Sequence, residues 1–260
     1  KVGLSYVGVS LDGLEKTHDR FRGKKGAFAA AMDGIRNCRE AGIKVGIRFT
    51  VNKHNLADVK DMFDLLRKEK IERLCFYHLV YTGRGSKLRD EDLNHEQTRK
   101  LIDLIAAETK KMFDDGLSPE ILTVDNHADG PYLYLKMKKE DPERAGEILE
   151  LLEMNEGNSS GLGIGCVSWD GEVYPDQFWR NQSLGNVRNR PFSQIWTDEK
   201  NELLMKLKEK KKHVHGRCAG CLWLNVCAGN FRARAESEGD IWGPDPACYL
   251  TDEEIHKKED

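Results

Sequence analysis

The residue types best suited to chemistry sit near the carboxyl end, in Cys218-Ala-Gly-Cys221-Leu-Trp-Leu-Asn-Val-Cys227, followed by Cys248. Two residues between the first pair let both sulfurs face one centre from a tight turn, five more bring round a third, and a returning segment delivers the fourth. Four thiolates meeting at one place hold a metal. Two disulfides are the competing arrangement, but Lys1-Val-Gly-Leu-Ser-Tyr-Val-Gly-Val has no secretory architecture, and clustered cysteines in a reducing compartment bind metal more often than they pair. All-thiolate sites accept zinc as well as iron–sulfur clusters, so ligand type leaves the metal open. Zinc ribbons pair two C-x2-C knuckles, whereas here a C-x5-C and a lone distant cysteine follow, which leans toward iron–sulfur.

This pattern is similar to the second auxiliary 4Fe-4S cluster of the SPASM extension of radical S-adenosylmethionine (SAM) enzymes. Cys166-Val-Ser-Trp-Asp-Gly-Glu-Val-Tyr-Pro-Asp-Gln177 resembles the opening hairpin of that extension, and Leu184-Gly-Asn-Val187 its next element. The resemblance implies that Cys218, Cys221, Cys227 and Cys248 ligate one auxiliary 4Fe-4S cluster. It departs where a first auxiliary cluster would take ligands: Asp176 stands at an expected cysteine after Gly171, and Phe231 stands where a C-x3-C would continue. Cys166 lies at the wrong spacing to replace them and reads as a buried thiol.

The elements that must position these residues read as an α/β fold. Tyr6 to Asp12, Lys44 to Val51 and Ile71 to Val80 are apolar, β-rich runs. Between them lie helical patterns from Ala27 to Glu40 and from a cap at Asn55 to Lys68, the second with Val59, Met62, Phe63 and Leu66 on one face. Strands alternating with helices make a parallel sheet, which presents functional residues at the strands' carboxyl ends. Further helices are expected over Glu96–Asp114 and Pro142–Met154. The linker Glu156–Gly163 then separates residues 1–157, the later part of a barrel, from residues 158–260, a small Cys-rich domain opening on a hairpin around Asp170-Gly171.

Val9-Ser-Leu-Asp-Gly13 and His18–Arg22 resemble the fourth strand and following loop of the partial (β/α)6 radical SAM barrel, and Gly83-Arg84-Gly85 the segment closing its sixth strand. The resemblance implies SAM contacts at Ser10, Asp12, Arg22 and Arg84. The C-x3-C-x2-C that holds the second 4Fe-4S cluster, the one that cleaves SAM, does not occur in this sequence. The chain therefore reads as a fragment, with that segment expected upstream of Lys1. Cys38 and Cys75 read as core residues.

A net charge of −3 over 260 residues, 33% of them charged, lacks the basic excess of a nucleic-acid binder, and no apolar run approaches a membrane span. The expected setting is the cytoplasm. Asp125, His127 and Asp129 read as a solvated turn, and the lysine run Lys206–Lys212 as a solvated helix face, with His213 or His215 a conceivable axial ligand to a porphyrin iron.

Asn126, Ala128-Asp-Gly130, Tyr174-Pro-Asp-Gln-Phe-Trp-Arg180 and Asp245-Pro-Ala-Cys248 resemble the branch of the family that acts on tetrapyrroles. That branch implies an anionic tetrapyrrole substrate, gripped by Arg84, Arg180, Arg188, Phe178 and Trp179, and an electron donor such as ferredoxin or flavodoxin. The expected reaction is removal of acetate groups from didecarboxysiroheme in heme or heme d1 biosynthesis. A peptide-modifying maturase and a zinc-binding module without chemistry are the alternatives.

Overall fold

The structure, a computed structural model, describes residues 3–256, except the side chain of Arg84. Packing divides the chain into two compact units, one of the residues up to Leu79 with Leu88–Asp125, the other of Val80–Lys87 with the residues from Asn126 onward.

In the first unit, strands β1 (Tyr6–Ser10), β2 (Lys44–Thr50), β3 (Arg73–Tyr77) and β4 (Glu120–Val124) form a parallel sheet in sequence order. Helices α1 (Glu15–Arg22), α2 (Ala27–Glu40), α3 (Val59–Glu69) and α4 (His95–Asp114) lie in the crossovers. The register pairs Val9 with Ile47 and Phe49 with Phe76, so apolar side chains line up across the sheet. Val59, Met62, Phe63 and Leu66 are all buried, as their spacing predicts. The Phe63 and Phe76 rings stack at 5.6 Å. Helix α4 starts at a capping box in which Asn94 Oδ1 accepts from the Gln97 amide at 2.8 Å and Gln97 Oε1 from the Asn94 amide at 3.0 Å.

Three local expectations are corrected. Residues 15–22 form a helix rather than a loop. Strand β4 was not anticipated, because Glu-Ile-Leu-Thr-Val is short and leaves Leu122 exposed at the sheet edge. Asn55 does not cap a helix. Its side chain donates to the carbonyls of Asp12 (3.1 Å) and Thr50 (2.9 Å) and accepts from the Asn52 amide (2.8 Å), tying together the carboxyl ends of β1 and β2.

The second unit begins with α5 (Asp129–Glu140) and α6 (Pro142–Asn155), the latter started by Asp141 and Pro142. These helices pack on each other, and α6 packs on α9 (Leu224–Cys227), which carries a cysteine. They therefore group with the Cys-rich residues in the compact unit that resumes at Asn126. The hairpin forms as expected from β5 (Cys166–Val167) and β6 (Glu172–Tyr174), and β7 (Gly185–Asn186) extends it. Helices α7 (Phe192–Trp196) and α8 (Glu202–Lys208) contribute Ile195 and Leu204 to its core of Val173 and Leu184. Helices α10 (Arg232–Ser237) and α11 (Asp252–Ile255) complete the unit. Among the described residues no helix is long and apolar enough to cross a membrane.

Candidate metal centre

Cys218, Cys221, Cys227 and Cys248 line a single cavity, walled also by Ala128, Trp223, Leu224, Gly229 and Leu250. All seven cysteines carry free thiols. Among the described residues no three His, Cys, Asp or Glu side chains converge closely enough to hold a single ion. Four thiols around one cavity are an all-thiolate donor set of the kind that holds a zinc ion or an iron–sulfur cluster.

Local structure explains how each thiol arrives there. Cys221 follows a turn in which its amide donates to the Cys218 carbonyl at 3.2 Å. Cys227 ends α9, and Ala228, Gly229 and Asn230 all take positive φ, reversing the chain at once. Cys248 is presented by a turn in which its amide donates to the Asp245 carbonyl at 3.0 Å. Arg217 joins the first and last of these segments, with Nη2 2.6 Å from the Leu250 carbonyl and 3.0 Å from Asp252 Oδ1. The Trp223 ring nitrogen donates to the Glu254 carbonyl at 2.7 Å, tying the segment after Cys248 to the one that bears Cys221.

Asn126 and Asn230 bind the remaining segments. Asn230 Nδ2 donates to Asn126 Oδ1 at 2.7 Å, Asn126 Nδ2 donates to the Ala247 carbonyl at 2.9 Å, and the His127 amide donates to Asn230 Oδ1 at 3.0 Å. Asp129 is buried and accepts from the Tyr249 hydroxyl at 2.7 Å. The 125–129 segment is therefore packed against the cysteine loops from Asn126 on, not a solvated turn. Sequence reasoning missed these amides because a single Asn carries no spacing signal.

Burial pushes the Cys227 thiol up to about 12 and Cys248 to about 11, and raises Cys218 and Cys221 as well. Left alone, such thiols stay protonated. A bound metal reverses that balance by supplying the positive charge that draws the proton off. Backbone N–H groups oppose the burial at every sulfur: Asp245 at Cys218, Trp223 at Cys221 (3.4 Å), Gly229 at Cys227 and Leu250 at Cys248. Such donors stabilise thiolate charge around a cluster and raise its potential.

The places where a first auxiliary cluster would find ligands are filled. Asp176 is buried and accepts from the amides of Phe178 (2.8 Å) and Trp179 (2.9 Å) and from Ser160 Oγ (2.5 Å). Phe231 packs edge-on against Phe178 at 5.9 Å in a core with Trp179, Leu207 and Ala233. Trp179 is thus core rather than a substrate wall, its ring nitrogen donating to Glu236 at 2.6 Å. Arg180 lies over the exposed Trp169 ring and Arg188 donates to the Trp169 carbonyl. Cys166 is half-buried on β5 and does not line the cavity. His213 stands 5.3 Å from the Trp242 ring, and His215 Nε2 lies 3.0 Å from Asp240 Oδ2.

At the other candidate site, Ser10 is exposed at the carboxyl end of β1, while Asp12 is buried. Arg22 Nε lies 2.6 Å from Asp12 Oδ2, so two of the expected SAM contacts pair with each other. Arg84 lies outside the residues whose side chains are described.

Comparison with known proteins agrees with this geometry. Residues 163–222 match the SPASM iron–sulfur cluster-binding domain. The chain is 62% identical to an Fe-coproporphyrin III synthase of Methanosarcina barkeri over 98% of its length and 65% of that protein. It is 39% identical to a pre-heme d1 synthase of Dinoroseobacter shibae over 96% of its length and 63% of that protein. It is 30% identical to an AdoMet-dependent heme synthase of M. barkeri over 95% of its length and 68% of that protein. The chain thus spans about two thirds of these relatives. Among solved structures it is similar to anSMEcpe with bound AdoMet, with a TM-score of 0.66 and 19% identity over 94% of this chain and 63% of that one.

Proposed function

Since the chain belongs to the radical SAM family with a SPASM iron–sulfur extension, in the branch that modifies tetrapyrroles, we propose that it forms the substrate-handling and auxiliary-cluster part of an enzyme removing acetate groups from didecarboxysiroheme. The name of the 62% identical relative, an Fe-coproporphyrin III synthase, supports a product of that class. The observation that carries the proposal is the convergence of Cys218, Cys221, Cys227 and Cys248 on one cavity. An auxiliary 4Fe-4S cluster bound there supplies a one-electron store with no ligand position left for substrate.

The chain's own residues perform the rest. The four thiols hold the cluster, and the wall of Ala128, Leu224 and Leu250 shields it from water. Ser10 and Asp12 are proposed to meet the hydroxyl and amino groups of SAM, with Arg22 holding the Asp12 carboxylate in place and Arg84 facing an anionic group. Arg180, between β6 and β7, and Arg188, just after β7, are suited to substrate carboxylates. The donor of electrons is taken to be a ferredoxin or flavodoxin, and the setting the cytoplasm, which the seven free thiols favour.

The test uses the whole protein that contains this chain, purified without oxygen. About four irons attributable to the auxiliary site, lost on Cys227→Ser, and loss of acetate from didecarboxysiroheme with SAM and reductant are expected. One zinc per chain, or an unchanged Soret band on titration with didecarboxysiroheme, overturns the proposal.

A further inference from the structure

Arg232 is a cation in an unusual place. Its side chain is 1% exposed, yet among the described residues it has no carboxylate within ion-pair distance. Its guanidinium is held by backbone carbonyls alone: Nη1 donates to Ile241 (2.9 Å) and Gly243 (2.6 Å), and Nη2 to Gly229. Nε has no hydrogen-bond partner among the described residues. The nearest carboxylate, Asp245, is already taken by Arg234 and by the amides of Phe231 and Ala247. An unpaired buried charge costs several kcal/mol, so its retention calls for an anion that it faces.

With Asp245 spent on Arg234, the remaining anions acting on Arg232 among the described residues are the thiolates that the cysteine cavity would carry once metal is bound. Gly229, whose carbonyl Arg232 holds, lines that cavity. Burial draws the Arg232 pKa down, and Asp245, then the Cys218 and Cys227 thiols, act against it. Seen from Cys218, Arg232 is the strongest single charge bearing on that thiol. Four thiolates around an iron–sulfur core leave a net negative charge in both oxidation states, larger after reduction.

We infer that Arg232 is the built-in counter-ion of the auxiliary cluster, a positioning residue that touches no substrate and sets the cluster's reduction potential by favouring its more negative, reduced form. This rests on the four-cysteine reading above. The three carbonyls fix the guanidinium without neutralising it, because a carbonyl accepts hydrogen bonds and carries no net charge. Arg234, two residues on, serves the opposite purpose: its charge is spent on Asp245, 2.9 Å away.

The experiment is potentiometric titration of the auxiliary cluster, followed by electron paramagnetic resonance, in the whole iron-loaded protein and in Arg232→Gln. Iron content of the wild type is measured first: its absence there refutes the cysteine reading and the role of Arg232 with it, whereas a loaded cluster leaves the Arg232 variants to test that role alone. In Arg232→Gln with full iron, the one-electron equilibrium shifts about tenfold toward the oxidised cluster, about 59 mV. An unshifted potential overturns the inference. Should Arg232→Gln fail to keep iron, Arg232→Lys decides: retained iron with a near wild-type potential supports a charge role, and iron loss equal to that of the Gln variant overturns it.

Discussion

Arg234 and Asp245 form a fully buried ion pair, with Arg234 Nε 2.9 and 3.1 Å from the two carboxylate oxygens, three residues before Cys248. The same carboxylate accepts from the amides of Phe231 (3.0 Å) and Ala247 (2.9 Å). One side chain thus holds the segment after Cys227 to the turn that presents Cys248. Removing one partner of such a pair strands the other charge. Asp245→Ala is expected to cost about 3–5 kcal/mol in denaturant unfolding and to release iron from the reconstituted protein. The double variant Arg234→Met/Asp245→Leu recovers part of this loss, but not the share owed to the two amides. Full recovery would reduce the amide contacts to bystanders.

Gly157 has φ +73°, and a Cβ built there would lie 2.4 Å from the Cys227 carbonyl carbon and 2.5 Å from the Val226 oxygen. Both obstacles are backbone, so neither can rotate away. The close approach lets the Asn158 amide donate to the Cys227 carbonyl at 3.2 Å. Gly157→Ala is expected to destabilise by about 2 kcal/mol or more and to shift Cys227. Unchanged thermal unfolding and iron content would show that the loop yields instead.

The sheet was legible because β-rich runs and helical periodicity agree with burial: the Val59, Met62, Phe63 and Leu66 stripe became core as its spacing demands. The cysteines were legible because metal ligation constrains spacing in sequence. What supports them was not. The Asn126–Asn230 pair acts across a long sequence separation, the contacts of Arg232, Arg234 and Asp245 follow no fixed spacing, and nothing in local composition distinguishes a buried Arg from a surface one. Asn55 misled for a related reason: an Asn before a helix resembles a cap, but two carbonyls within reach claimed its amide.

His127 is held down to about 4, chiefly by burial, with the Arg234 and Lys210 charges adding to it. Its ring stacks on Phe231 at 5.9 Å. A folded pKa below the unfolded value of 6.5 means the unfolded chain takes up the proton first, so the stabilisation is complete above pH 6.5 and is lost as pH falls toward 4. Between pH 7 and 5 the wild type should lose about 2 kcal/mol from this group alone. Subtracting the pH profile of His127→Phe from that of the wild type isolates the contribution. Parallel profiles would show the imidazole to be solvated.

The thiol variants separate ligands from bystanders. Cys218→Ser, Cys221→Ser, Cys227→Ser and Cys248→Ser each remove a wall of the one cavity, whereas Cys166 is half-buried on the hairpin and Cys75 sits buried in β3. Each of the first four is expected to lower auxiliary-site iron several-fold and to lower the melting temperature, because binding energy at a site absent from the unfolded chain is folding energy. Cys166→Ser should keep both iron and stability. Cys75→Ala should keep its iron while losing about 1–2 kcal/mol to the cavity left between strands, since its raised pKa follows from burial as theirs does, but no other thiol faces it. Iron analysis and unfolding on the same six samples therefore distinguish a ligand, which moves both readouts, from a packed thiol, which moves one at most.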